Sequence, residues 1–316
     1  MLALAPHTTR YTDIVQRLNR ASVHKHAEAY VDIDWDAPEF QIDPEDPCWE
    51  LDDQDPLGAT AWYQDRKAAQ RARIGLDCAA ARAKLGIEFE AILSRGLLEF
   101  AAARPNDSVD ARYALHEVIE EGQHSLMFQE FVNRAGAVAE GMPAWQSWAG
   151  RGIPRLGRTC PELFFCYVLA GEVPIDQIQR RELRNPGRHP LLRRIMQIHV
   201  TEEARHVCFA EQYLAVHVPR MSAARLAQLR VLLPFITAET AKLMLRPHRW
   251  VLRRHGVPAV IAADAKFASP ARAFGADCLR PLVETFRKLD LITPLTLPLW
   301  FAAGVDVAAE PRLLGQ

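Results

Sequence analysis

The sequence predicts an all-α protein in which a four-helix bundle carries additional flanking helices. No segment of the 316 residues shows the sustained alternation of apolar and polar side chains that is typical of a strand. Several long stretches instead place apolar side chains at helical spacing. Turn-forming clusters rich in proline, asparagine and glycine separate these stretches, as at 105–108 and 185–187.

The composition is that of a globular protein with a sizeable core, since 49% of the residues are hydrophobic. With 38 Lys and Arg against 39 Asp and Glu, the net charge of −1 gives no electrostatic reason to expect nucleic acid as a partner. No run of about 20 apolar residues predicts a membrane span, and residues 1–10 lack the apolar core of a secretion signal. Six scattered cysteines without a CxxC pair predict reduced, mostly buried thiols, so we expect a cytoplasmic protein.

The chain is expected to form one domain over 1–316, with the bundle at about 60–218. A first helix is predicted at 11–30 within an N-terminal part that covers 1–58. Residues 32–56 are rich in aspartate and proline, and we interpret this acidic segment as a solvated strap across the bundle. A cation-binding loop or a lid is the alternative for the same segment.

Four helices are predicted within the bundle, and further helices at 219–316. The first bundle helix should span 59–104, with a break near Gly75 or Gly86. The others are predicted at 109–135, 161–183 and 190–217, with a connection at 136–157 that contains glycine and tryptophan. Helices near 222–245 and 270–289 follow, and the apolar stretch 289–309, which prolines and aspartates interrupt, is expected to be a packed tail.

One short motif, Glu-Glu-x-x-His, occurs twice in these helices, at 120–124 and at 202–206. Glu121 and Glu203 lie 82 residues apart, as do His124 and His206. On a helix, residues three apart lie about 60° apart around the axis, so each pair can hold a metal ion from one face. Two such helices, with one Glu from each of two more, form the carboxylate-bridged di-iron site of ferritin-like bundles.

A third histidine extends the second motif, because His199 lies four residues before Glu203 and on the same helix face as His206. The spacing differs from the HExxH motif of zinc proteases. Parallel spacing favours Glu121 over Glu120 as a ligand. Glu120 and Glu202 would then lie about 100° around their helices, either behind the ligands or on the surface.

The two further carboxylates come from the other helices. Glu172 interrupts a stretch, 163–171, that otherwise predicts a fully buried helix, and an unpaired carboxylate there costs several kcal/mol, which a metal would offset. In the helix before Pro105 the candidates are Glu88, Glu90 and Glu99. Glu90 is preferred because it lies on the more apolar face, with Glu88 as the alternative.

The resulting ligand set has a charge that suits two divalent ions, since four carboxylates total −4 and two Fe(II) ions total +4. Oxygen-rich sites with a few imidazoles favour iron, or manganese, over zinc. The predicted metal ligands are Glu90, Glu121, His124, Glu172, His199, Glu203 and His206. The remaining histidines have no comparable neighbours, and the basic run 246–255 is interpreted as a solvated face, with a phosphate or an acidic partner as the alternative.

The motifs resemble those of the AurF-type di-iron N-oxygenases over roughly residues 60–290. The matching segments are 88–93, 121–124, 170–172 and 199–206, and the third histidine, His199, is the feature that separates this family from most ferritin-like oxygenases. The resemblance implies a cofactor of two iron ions, an external electron donor, O2 as co-substrate and a homodimer. It also implies that Glu121 and Glu203 bridge, that Glu90 and His124 serve one iron, and that Glu172, His199 and His206 serve the other.

The expected function is therefore a monooxygenase that oxidises a small organic substrate, by resemblance an aryl amine that is converted to a hydroxylamine or nitro product. C-hydroxylation or desaturation on the same site is one alternative. A ferritin-like protein that handles iron or manganese without an organic substrate is another, and an apolar pocket beside the metals would count against it.

Overall fold

The computed structural model describes residues 6–307, and within this range it contains helices and no strand, which confirms the predicted fold class. The α-helices are α1 Pro6–His24, α2 Ala61–Gln64, α3 Ala68–Ala102, α4 Val109–Arg134, α5 Ala144–Gly150, α6 Leu156–Thr159, α7 Pro161–Arg184, α8 Pro190–His217, α9 Ala223–Leu245, α10 Arg249–Arg254, α11 Ala259–Phe267, α12 Ser269–Lys288 and α13 Leu297–Ala303. Short 3₁₀ helices occur at Pro38–Phe40, Pro47–Trp49, Ile153–Arg155 and Val218–Arg220.

Helices α3, α4, α7 and α8 form the central bundle, in which α3 packs on α4, α7 packs on α8, and α4 and α8 are in contact. Local signals set their first residues. The Ser108 side chain accepts a hydrogen bond from the backbone N–H of Ala111 at the start of α4, and α7 and α8 each begin with a proline. Only short turns join α3 to α4 and α7 to α8, which suits neighbouring helices of a bundle.

The predicted break in the first bundle helix is wrong, because α3 is continuous from Ala68 to Ala102. A Cβ atom on Gly75 would lie 1.8 Å from the backbone oxygen of Trp49, and one on Gly86 would lie 3.0 Å from the ring of Phe128. These glycines therefore allow neighbouring segments to approach the helix closely and do not interrupt it.

The N-terminal helix ends at His24, earlier than the predicted 30, and turns follow it. The acidic segment then crosses the bundle in an irregular path. Its apolar side chains Ile33, Trp35, Trp49 and Leu51 are buried, whereas aspartates such as Asp34, Asp36 and Asp53 are exposed. Trp49 stacks on the imidazole of His189 with 4.3 Å between ring centroids. We call residues 32–56 the strap, because buried aromatic side chains fix it to the bundle.

The C-terminal helices pack against α7 and the aromatic core at one end of the bundle, where Phe100, Phe165, Phe209 and Tyr213 are in mutual contact. The apolar tail is packed as predicted up to residue 307 and includes α13, in which Trp300 is fully buried. Residues 308 and 309 lie outside the described range. No helix within residues 6–307 is long and apolar enough to cross a membrane.

The cysteines and the basic run 246–255 were also the subject of predictions from the sequence. All six cysteines are free thiols, of which Cys78, Cys166 and Cys278 are buried. The basic run is only partly solvated, because α10 buries Trp250, Val251 and Leu252 between its charged residues.

Candidate metal centre

The seven predicted ligands all lie buried inside the four-helix bundle, each with 2% or less of its surface exposed. Helix α3 contributes Glu90, α4 contributes Glu121 and His124, α7 contributes Glu172, and α8 contributes His199, Glu203 and His206. Burial of so many ionisable groups would be strongly unfavourable without compensating charges.

The two motifs are joined by crossed hydrogen bonds between the helices α4 and α8. The Nε2 of His206 lies 2.7 Å from Oε2 of Glu120, and the Nε2 of His124 lies 2.8 Å from Oε2 of Glu202. The first Glu of each motif thus accepts from the histidine of the other. A carboxylate that holds the outer nitrogen of an imidazole is the usual arrangement behind metal-binding histidines.

These outer bonds direct the Nδ1 atoms of both histidines toward the bridging-type carboxylates. The Nδ1 of His124 lies 3.3 Å from oxygens of both Glu121 and Glu203. The Nδ1 of His206 lies 3.3 Å from Glu121 and 3.1 Å from Glu203. The four side chains that the repeated motif predicts therefore surround a common centre.

Of the two positions expected for Glu120 and Glu202, the structure shows the one behind the ligands, and both carboxylates are buried. The guanidinium of Arg205 lies 2.8 Å from Glu120 and 3.5 Å from Glu202. The backbone N–H of Ala27 donates to Glu202 over 2.8 Å. One buried cation thus holds both outer carboxylates, which in turn orient the two imidazoles.

The third histidine is close to Glu90. The Nε2 of His199 lies 3.3 Å from Oε1 of Glu90 and 3.9 Å from Oε1 of Glu203, and its ring centroid is 4.5 Å from that of His124. One ligand atom each from Glu90, His124, His199 and Glu203 lie within 4.8 Å of one another. His199 is thus grouped with Glu90 and His124, whereas the resemblance implies that it serves the same iron as Glu172 and His206.

The alternatives to Glu90 lie outside this cluster. Glu88 is half-buried, accepts from the backbone N–H of Met142 over 2.7 Å and lies 3.4 Å from Lys84. Glu99 is also half-buried and belongs to neither group of potential metal ligands among the described residues. The geometry therefore favours Glu90.

Glu172 is buried, and neither of its oxygens has a hydrogen-bond partner among the described residues. Burial, followed by the nearby carboxylates of Glu203 and Glu121, raises its pKa well above the ordinary value. The same causes, burial first, raise the pKa of Glu90. Two buried carboxyl groups whose pKa values are raised in this way are well suited to a metal, whose charge would favour their ionised forms.

The other ligands show the complementary pattern. Although burial favours its protonated form, Glu203 has its pKa lowered to about 2, chiefly by the charge of His206. Burial likewise opposes the charged form of His124, but hydrogen bonds to Glu121, Glu202 and Glu203 raise its pKa well above the ordinary value. Burial and the neighbouring His124 lower the pKa of His199 to about 4, so this imidazole is neutral at neutral pH.

One carboxylate of the cluster was missed at the level of the sequence. Glu117, four residues before Glu121, is buried, and burial raises its pKa to about 8. An oxygen of Glu117, an oxygen of Glu121 and a ring nitrogen of His206 lie within 4.8 Å of one another. The 82-residue spacing of the motif could have identified Glu117, because Glu117 lies 82 residues before His199. Five pairs share this spacing: Glu90 and Glu172, Glu117 and His199, Glu120 and Glu202, Glu121 and Glu203, and His124 and His206.

An apolar pocket with a cavity volume of about 70 Å³ lies beside the cluster. Glu90, Glu172 and His199 form part of its wall. Most of the remaining wall is apolar and comes from all four bundle helices and the strap: Leu51, Leu85, Phe89, Phe128, Ile175, Ile178 and Leu192 are examples. Arg82, Gln179, Glu182 and Arg188 supply a polar part. Pocket residues could not be predicted, because helix rotation is not fixed by the sequence.

The residues fit a dinuclear iron or manganese centre. Their donors are carboxylate oxygens and imidazole nitrogens, which suit these metals. The orphaned oxygens of Glu172 and the paired outer carboxylates both agree with bound cations.

Comparisons with known proteins agree with this architecture. The family of p-aminobenzoate N-oxygenase AurF matches residues 8–290, beyond the 60–290 over which the motifs alone show resemblance. Uncharacterized proteins of Mycobacterium bovis and Mycobacterium tuberculosis are 35% identical over 298 residues, which cover 94% of this chain and 88% of theirs. The chain therefore belongs to the AurF family of the ferritin-like di-iron superfamily.

Proposed function

We propose that this member of the AurF family is a di-iron monooxygenase that oxidises the nitrogen of a small aryl amine toward the hydroxylamine and nitro products. The observation that carries the proposal is the apolar pocket whose wall includes Glu90, Glu172 and His199. A protein that only stored metal would need no cavity of this kind beside its carboxylates. Ligand pockets of enzymes are mostly apolar with a few placed polar groups, as here.

The seven residues predicted from the sequence would hold the two ions, and Glu121 and Glu203 would be the shared carboxylates that the family resemblance implies. When bound, the irons supply the activation of O2, with electrons from an external donor. The first oxidation balances as R–NH2 + O2 + 2e⁻ + 2H⁺ → R–NHOH + H2O. The substrate class explains the pocket, because an aryl ring packs on apolar walls while its amino group lies toward the metal end.

The remaining roles belong to side chains that orient and shield. Glu120 and Glu202 hold the imidazoles of His206 and His124, so the nitrogens that face the centre are fixed before metal binds. The strap contributes Trp49 and Leu51 to the pocket wall and thereby limits the entry of water.

The polar part of the pocket is charge-paired within the protein. Arg188 is bonded to Glu182, Asp52 and the backbone oxygen of Glu50, and Arg82 lies 3.8 Å from both Asp55 and Glu182. Since these cations already have carboxylate partners, we expect a neutral substrate to be preferred over a strongly anionic one.

The test is a product assay with iron-loaded protein, O2, a chemical reductant and a panel of neutral aryl amines, with mass spectrometry of the products. Hydroxylamine or nitro products support the proposal. Hydroxylation at carbon or desaturation of alkyl substrates in a parallel panel would assign the same site to the alternative chemistry. Turnover of no substrate, with metal release on reduction, would support metal handling.

A pocket-filling variant, Ala83→Phe, tests whether the reaction depends on the cavity. Ala83 lines the pocket on α3 and is not among the metal ligands. We expect unchanged iron content and at least about a tenfold loss of product formation, because overpacking of the cavity excludes substrate. Ala91→Phe is the matched control, since Ala91 is exposed on the same helix. Equal activity of both variants would separate the pocket from the reaction.

A further inference from the structure

Glu117 is a buried carboxylate to which neither the motif nor the family resemblance gives a role. It lies on α4 with 1% of its surface exposed, and neither of its oxygens has a hydrogen-bond partner among the described residues. Removal of a carboxyl group from water without compensation costs several kcal/mol. A side chain that folding places here at such a cost is well suited to a partner that the described residues do not supply.

No protein cation is bonded to Glu117 in the described part of the chain. The buried guanidinium on the neighbouring helix, that of Arg205, is already held by Glu120 and Glu202. His206 approaches Glu117 but forms its ion pairs with Glu120, Glu121 and Glu203. The described side chains therefore leave a place beside Glu117 for a further cation from outside the chain.

The position of Glu117 identifies that cation. One of its oxygens, an oxygen of Glu121 and a ring nitrogen of His206 lie within 4.8 Å of one another. Protein ligands bind first-row metals at about 2.1 Å, so two ligand atoms of one ion lie at most about 4.2 Å apart. Small shifts of the three side chains would therefore bring them onto a single ion.

The internal repeat gives a second, independent argument. Glu117 lies 82 residues before His199, the spacing that also relates the Glu and His residues of the two motifs. His199 projects into the cluster from one turn before Glu203, as Glu117 does from one turn before Glu121. The two halves of the site therefore each present one more ligand-type side chain at the same helical position.

We propose that Glu117 is an eighth protein ligand, which binds the ion that Glu121 and His206 hold. The inference rests on the proposed di-iron function. It divides the site into two sides, because Glu90, Glu172 and His199 line the pocket whereas Glu117 does not. The side away from the pocket would then have an additional anionic ligand. The pocket side has the neutral imidazole of His199 and faces the substrate.

The test is an anaerobic titration of apoprotein with Fe(II), with the affinity and stoichiometry of each site measured for wild type, Glu117→Gln and a control. Glutamine keeps the size of the side chain and removes its charge. Glu130→Gln is the control on the same helix, because Glu130 lies away from the cluster and pairs with Arg134 at 2.7 Å. Helix content of every variant is checked by circular dichroism.

We expect wild type and Glu130→Gln to bind two ions, and Glu117→Gln to bind one of the two at least about tenfold more weakly, since loss of even an outer partner costs that much. Glu117→Asp keeps the charge and should restore part of the affinity. If Glu117→Gln does not fold, the comparison of Glu117→Asp with wild type decides, and unchanged affinity then contradicts the proposal.

The outcomes separate the two proposals. Two ions bound with equal affinities by wild type and Glu117→Gln would overturn the role of Glu117 and leave the di-iron function standing. Wild type that binds no pair of ions would overturn the di-iron function itself.

Discussion

The two helix pairs of the bundle, α3 with α4 and α7 with α8, carry the same pattern of site residues except at one position. Each pair supplies a carboxylate from its first helix and the Glu-Glu-x-x-His motif from its second, and all these side chains are buried. The exception is the position of Glu117 in one pair and His199 in the other. Of these site residues, three line the apolar pocket: Glu90, Glu172 and His199.

A repeated arrangement of ligands could thus hold two ions while only one side of the site faces the apolar pocket. The shared residues would allow two metals to bind, since each half provides carboxylate and imidazole donors. The differing residues make the two sides of the site unlike. The neutral imidazole of His199 faces the pocket, and the carboxylate of Glu117 lies on the side away from it. We therefore expect substitutions at shared positions to reduce metal content most, substitution of Glu117 to weaken the binding of one ion, and substitution of His199 to change reactivity more than metal content.

Loss of the first-helix carboxylates is the largest expected effect. Glu90→Ala and Glu172→Ala should each lose one metal and reduce turnover by more than about 100-fold, since loss of outer partners alone costs up to that factor. The measurement is elemental analysis of each purified variant together with the product assay. Full metal content in Glu172→Ala would remove Glu172 from the ligands and break the equivalence of the two halves.

Removal of metal from the wild type should have the next largest effect, on stability. Without cations, the buried carboxylates of both halves lie close together and either repel or must hold protons. A ligand that binds only the folded state stabilises it by about 4 kcal/mol at a thousandfold excess over Kd. Thermal unfolding of apoprotein and reloaded protein compares the two states, and equal Tm values would contradict the account.

Metal affinity should rise with pH. In the apoprotein, hydrogen bonds to carboxylates, acting against burial, raise the pKa of His124, and burial first of all raises the pKa of Glu90 and Glu172. These groups thus hold their protons to a higher pH than free side chains do, and metal must displace those protons. As the pH rises the protons leave without metal, so the competition weakens, by up to about tenfold in affinity per pH unit for each proton released.

Titrations with Mn(II) between about pH 6 and pH 8 measure this dependence, in the range where histidine ordinarily titrates. An affinity that does not rise with pH would contradict the prediction, because it would show that these side chains are already deprotonated in the apoprotein. The proton release itself can be followed with a weakly buffered indicator dye in the same experiment.

The smallest effect on metal content is expected at His199. His199→Ala removes a neutral donor whose nearest recorded ligand neighbour is Glu90 at 3.3 Å, so we expect most of the metal to remain and the rate of reaction with O2 to change. Stopped-flow spectra after mixing of the reduced protein with O2 make the comparison with wild type. An identical time course would give His199 a purely structural role.

Much of the bundle follows from local sequence signals. Helix α8 spans Pro190–His217 as predicted, and α4 and α7 each end within one residue of the prediction, because Ser108, Pro161 and Pro190 mark their starts. The break predicted in α3 failed for a tertiary reason. Its glycines are required by the close approach of Trp49 and Phe128, which no local pattern reveals.

The site was predictable where the motif repeats and not where it diverges. The side chains of the repeated motif form the cluster, because helical spacing alone places them on one face. Glu117 escaped notice because it precedes the motif and resembles a surface glutamate within its own segment. The pocket and the pairing of His199 with Glu90 depend on the rotation of helices about their axes, which packing of the whole bundle determines.

Metal content per chain tests the central claim most directly. Protein produced with iron should contain about two irons per chain, as in other bundles with this carboxylate and histidine pattern. Its reduced form should develop a visible absorption band on exposure to O2. A single zinc ion per chain, or no metal, would contradict the account of a dinuclear site built from the two helix pairs.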